Sequence, residues 1–126
     1  MIRVDIDRVA IEIANAVEAY TLDVTAAIED VVDITATKVL KEVKRLARKR
    51  SGEYARTFVK TRKKLPGQRV YYVWNKKHYR RVHLLERGHA KVGGGRVQAY
   101  PHLIPAHDKY APEMYTAIIN ILRNGG

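Results

Sequence analysis

The sequence predicts an α+β fold: a long N-terminal helical region, a small mostly antiparallel β-sheet, and a C-terminal helix packed on the sheet. Three observations predict it. Residues 1–50 contain neither Gly nor Pro. After Gly52 the apolar period changes from helical to extended. An amphipathic segment over 108–124 then closes the chain. With 126 residues, 46% of them hydrophobic, the chain is expected to fold as one domain (1–126) around a single modest core. Its parts are a helical region (1–50), a β-rich region with a short helix and a Gly-rich loop (51–107), and the final helix.

Each element has a local cause. Val9, Ile13, Val17, Tyr20, Val24, Ile28, Val31 and Ile34 recur at three- or four-residue steps, and Val39, Val43 and Leu46 continue the stripe. Asp5 or Asp7 can cap the start through a side-chain oxygen, and Ser51-Gly52 supplies the stop, with Lys49 and Arg50 at the negative end of the dipole. One helix over 7–49 would be about 65 Å long. It either breaks near Tyr20-Thr21-Leu22-Asp23 or packs partly on another subunit. EYARTFVKTR (53–62) and the β-forming QRVYYVWN (68–75) flank the Pro-Gly signal of LPGQ, which predicts a hairpin. Residues 78–90 return to helical spacing, with Gly88 as a stop; VGGG (92–95) is a flexible loop, and RVQAY (96–100) a short strand ending at Pro101. In the last helix Asp108 can act as cap, with Met114, Ile118, Ile121 and Leu122 facing the core.

Charge divides the chain. Residues 1–40 hold three cations against eight acids, net −5, and the rest hold 21 against five, net +16, for a total of +11. That field attracts phosphate backbones or acidic protein surfaces. No cysteine is present, which excludes disulfides and thiolate metal ligation. No run reaches the roughly 18 apolar residues of a membrane span, and MIRVDIDRVA does not read as a signal peptide, so an intracellular setting is expected.

The stretch LLERGHAKVGGGRVQAYPHLIPAH (84–107) invites a chemical reading. The five histidines, at 78, 83, 89, 102 and 107, form no i, i+4 pair around a Glu, and their basic setting repels cations, so no metal or other cofactor is expected. The triple glycine lacks the GK[ST] ending of a phosphate-binding loop. Ser51, the only serine, is explained by capping. A small basic RNA-cleaving enzyme would use His83, Glu86 and His89. Against it, His83 reads as half-buried beside Leu84, and Glu86 as paired with a neighbouring Arg. A non-specific nucleic-acid binder would use the aromatic–cationic run RVYYVWNKKHYRR (69–81) for stacking and phosphate contact. Candidate DNA-facing cations are Lys60, Arg62, Lys63, Lys64, Lys76, Lys77, Arg80 and Arg81.

Several blocks occur in order: Ser51-Gly52 with Tyr54, Asn75, Tyr79-Arg80, HLLERGHA (83–90), GGGRV (93–97) and PHLIPA (101–106). Over about residues 51–120 the chain resembles the small tail-component family of long-tailed bacteriophages, the gene-product-ten-like neck or tail-completion proteins. The N-terminal helix is similar only in character. The resemblance implies a structural role at the head–tail junction or upper tail, without catalytic residues. It further implies a ring, expected to be hexameric, that contacts other neck and tail proteins and passing DNA. The location implied is the virion, with host cytoplasm during assembly. His83, Leu84, Leu85, Glu86, Gly88, His89, Gly94, Gly95, Arg96, Val97, Pro101, His102, Pro105 and Ala106 then become fold or interface determinants. His102, between two prolines, is expected to pack its ring and donate to a backbone carbonyl.

Overall fold

A computed structural model describes residues 6–49, 52–65 and 68–125. Helix α1 (Ile6–Leu46) is 41 residues long, about 62 Å end to end. It runs unbroken through Tyr20–Asp23, where nothing removes a donor or frees the backbone, and the Thr21 hydroxyl donates to the Val17 carbonyl within the helix. A one-turn helix α2 (Glu53–Arg56) follows, preceded by Gly52 at φ 78°. Strands β1 (Phe58–Leu65) and β2 (Gln68–Asn75) pair antiparallel from Phe58↔Asn75 to Leu65↔Gln68, the hairpin that the sequence predicts, although its first arm starts at Phe58 because residues 53–56, read as extended, are helical. The turn expected at Pro66-Gly67 and the cap expected at Asp5 lie outside the described residues. The stop expected at Ser51-Gly52 is a correction: α1 already ends at Leu46, and the cations in its last turn are Lys44 and Arg45, not Lys49 and Arg50.

The second half of the chain is a short helix, a small hairpin and a long helix. Helix α3 (Val82–Arg87) is shorter than the 78–90 spacing suggested, because residues 76–81 form turns. Strands β3 (His89–Ala90) and β4 (Arg96–Val97) make a second antiparallel pair around the glycines. Helix α4 (Leu103–Asn124) has His102 as its N-cap, six residues before the expected cap Asp108. It lies chiefly along α1 and not across the sheet, which is a correction to the expected packing. The reason is geometric: both helices carry long apolar stripes, and a two-stranded hairpin offers too narrow a face to cover one.

The core sits at the carboxyl end of α1. Val43, Ala47, Ala55, Phe58 and Ala106 are buried together, with Val39, Leu40, Tyr54, Val73, Val82 and Leu103 packed around them. Strand alternation decides which hairpin residues reach it. Phe58, Lys60, Arg62 and Lys64 share one face with Asn75, Val73 and Tyr71, whereas Val59, Thr61 and Lys63 share the other with Trp74, Tyr72 and Val70. Glu42, buried between α1 and α4, accepts from Arg45 Nε at 3.0 Å and lies 3.4 Å from Lys109 Nζ. Hydrogen bonding to Arg45 holds its carboxyl below the usual carboxylate range.

The apolar stripe of α1 is only partly covered. Val24 and Val43 are buried and Ile28, Val31, Val39 and Leu46 half-buried, but Val17, Tyr20 and Ile34 are exposed. Leu122, expected in the core, is also exposed, while Met114, Ile118 and Ile121 are half-buried.

Candidate functional site

The histidine- and glycine-rich stretch forms a connected arrangement of its own. Glu86, on α3, is buried, and its carboxylate accepts from the backbone N–H groups of His102 (2.8 Å), Leu103 (3.0 Å) and Ile104 (2.8 Å). These are the first orphan donors of α4. The next residue is Pro105, which has no N–H to satisfy. Every donor of that first turn is thereby accounted for, and the negative charge sits at the positive end of the helix dipole. The expected pairing of Glu86 with a neighbouring Arg gives way to this cap, which no local spacing announces.

His102 lies beneath the cap, 1% exposed. Its Nδ1 is 2.6 Å from the Tyr100 carbonyl and 2.9 Å from Glu86 Oε2. With Nδ1 carrying a proton for these acceptors, Nε2 is left to accept from the Tyr54 hydroxyl at 2.7 Å. The rings of Tyr54, Phe58 and His102 meet edge to face, with centroids 5.0–5.7 Å apart. Burial, with the Glu86 charge second, pushes the Tyr54 phenol well above its ordinary value, which keeps it a donor. Burial also raises the Glu86 carboxyl, but the three N–H groups and His102 outweigh it and leave the group below its ordinary value. Asn75, fully buried, donates to the Tyr54 carbonyl and accepts from the Lys77 and His78 N–H groups, which fastens the turns after β2.

Gly88 closes the base of the β3–β4 hairpin. Its φ is +71°, and a Cβ there would lie 2.5 Å from the Val97 carbonyl oxygen, so glycine is required for the approach. Tyr100 N–H returns to the Leu85 carbonyl at 2.7 Å, and Lys91 N–H to that of Gly95 at 2.9 Å. Gly94 and Gly95, by contrast, face open space, and Val92 at the tip is wholly exposed.

The remaining motif residues disperse. His83, Arg96, Pro101 and Pro105 are exposed; Leu84, Leu85, His89 and Val97 are half-buried; Ala106 is in the core. His83 is thus not the half-buried ring that sequence suggested. His89 Nδ1 finds no hydrogen-bond partner among the described residues. Glu86, the carboxylate an acid–base reading would need, is committed to the helix terminus. Among the described residues no group of His, Asp and Glu could hold a metal ion, and no helix is long and apolar enough to cross a membrane.

The candidate DNA-facing cations fall into two groups. Arg62, Lys63 and Lys64 are exposed toward the hairpin tip, Lys63 on the opposite face from the other two. Lys76, Lys77, Arg80 and Arg81 lie beyond the other end of the hairpin, roughly 24 Å away along the strands. Lys60 turns to α1, where it pairs with Asp33 and donates to Thr37, and Lys77 pairs with Glu53. Of the aromatics, Tyr72 and Trp74 point outward, exposed, while Tyr71 and Val73 face α1.

One family model, described as "Bacteriophage HK97-gp10, putative tail-component", matches residues 11–88. The chain belongs to this family. No curated protein and no solved structure matches it. Membership gives this tail component a structural role in a bacteriophage tail and a place in the virion beside other tail proteins. The match takes in most of α1, the hairpin and α3, and stops at Gly88. The long helix is therefore part of what the family shares, although sequence reading gave it only a similar character. The GGGRV and PHLIPA blocks lie beyond the matched residues. Tyr54 and Asn75 were visible as isolated blocks, but their role as partners of His102 and of the turns had no sequence signal.

Proposed function

We propose that this tail component completes the upper end of the tail at the head–tail junction. It acts there as one domain, assembled into a ring, expected to be hexameric, with neighbouring neck and tail proteins. The observation that carries the reading is α1: beyond the end of α4 its apolar stripe runs on through Val17, which its own chain leaves 59% exposed. Such a stripe calls for a partner surface. The cations at both ends of the hairpin suit a channel through which DNA passes, and the protein would reside in the host cytoplasm until assembly. Deleting the gene from its phage should yield filled heads and separate tails. Joined, infectious virions from the deletion would overturn the proposal.

A second reading, non-specific nucleic-acid binding outside the virion, is favoured by exposed Tyr72 and Trp74 beside the hairpin cations. It requires DNA affinity that falls steeply with added salt as counterions are released. Salt-independent or absent binding removes it. For the RNA-cleaving alternative, His83→Ala and His89→Ala are expected to change nothing, because purified protein should leave RNA intact.

A further inference from the structure

Two unfilled features of the fold match each other. The first is the amino-terminal stretch of α1. Helix α4 stops covering α1 at Tyr20, whose hydroxyl donates to the Leu122 carbonyl at 3.0 Å and whose ring lies against Gly125. From Ile6 to Tyr20 the helix runs on for about 21 Å. The face that buries Val24 and half-buries Ile28 and Val31 continues there through Val17, which is 59% exposed.

The second is a trough between α1, β2 and α4. Two apolar hollows of about 330 and 220 Å³ adjoin through Val32 and Tyr71 and extend along α1 from Thr25 to Val39. That span is again about 21 Å. Val39, Val73, Leu103 and Met114 supply much of its wall. The charges are opposite. Between residues 6 and 23 the helix carries Asp7, Glu12, Glu18 and Asp23 against Arg8 alone. The sheet face beside the trough continues from Tyr71 and Val73 to Arg62 and Lys64, both exposed.

We infer that the trough receives the amino-terminal part of α1 from a second copy of this chain, head to tail. Length, apolar character and charge agree, and the two surfaces lie on different parts of each copy. The contact is heterologous, so it leaves one helix and one trough free until the chain of copies closes. This deepens the ring reading proposed above and rests on it.

The chain has no cysteine, so single cysteines report contacts without background. Val17→Cys and His107→Cys place one on the exposed helix and one on the exposed rim of the trough. Mixed and treated with a short bis-maleimide crosslinker, the two variants should give a covalent dimer that neither gives alone. Val17→Glu should reduce the assembled species in sedimentation to monomer while leaving the thermal melt unchanged. Crosslinking of Val17→Cys to itself, an assembly that survives Val17→Glu, or a chain monomeric at every soluble concentration overturns the inference. Rings seen by electron microscopy without the mixed crosslink would refute the trough alone and leave the junction reading standing.

Discussion

Glu86 holds three backbone N–H groups at once, so its replacement by Gln tests charge separately from shape. The amide keeps the acceptor oxygen but loses the charge and brings an unpartnered donor into a buried site. Glu86→Gln should cost about 1.5–3 kcal/mol, the range for hydrogen bonds to charged groups, read from the urea midpoint. The pH dependence follows from the lowered carboxyl. Its contribution is fully present above the unfolded carboxylate value of about 4.3 and is lost as pH falls through the lower folded value. Acidification from about pH 5 to pH 3 should therefore destabilise the wild type more than Glu86→Gln. Some slope remains in the variant, because Glu42, hydrogen-bonded to Arg45, and Glu53, hydrogen-bonded to Lys77, are also lowered. Tyr54→Phe leaves the ring stack but strands His102 Nε2, at an expected cost of about 1–3 kcal/mol by the same assay.

At the scale of elements, periodicity and turn chemistry carried most of the fold. The α1 stripe was legible because Gly and Pro are missing from its length and β-branched residues recur at helical steps. The hairpin was legible because a β-forming run follows a Pro-Gly signal, while its register, a tertiary pairing, was not read. The start of α4 was not. Asp108 looks like a cap, but the capping carboxylate comes from Glu86, sixteen residues before the N-cap His102, and a contact across that distance leaves no local spacing to read. Of the site, His102's bond to a backbone carbonyl was foreseen, and its Tyr54 and Glu86 partners were not. Burial along α1 is likewise a tertiary property: the stripe is continuous in sequence while α4 covers only part of it. Phe58, wholly buried where α1, α2 and the hairpin meet, should cost about 3–5 kcal/mol when cut to Ala.

For the whole molecule, one buried cluster joins α1, the hairpin and the start of α4. Thermal unfolding of the unassembled chain should accordingly be a single transition, with calorimetric and van't Hoff enthalpies equal. Two separated transitions would mean that α1 and the rest form independent units. The charge division acts at this scale as well. With net −5 in residues 1–40 and +16 in the remainder, each copy is a long electric dipole, which orients neighbours before any side chains touch. Added salt should therefore slow assembly more than it weakens the assembled state, measured by light scattering after mixing.

The β3–β4 hairpin is fastened at its root by Gly88 and by the Tyr100–Leu85 hydrogen bond, while a side chain added at Gly94 or Gly95 would point into open space. Such a closed excursion is a grafting point. A short epitope spliced in at Gly94 lengthens a loop whose ends are already held together, an entropic change that grows only slowly with length. The melting temperature should stay put, and an antibody against the graft would then mark, particle by particle, where along a phage the protein resides.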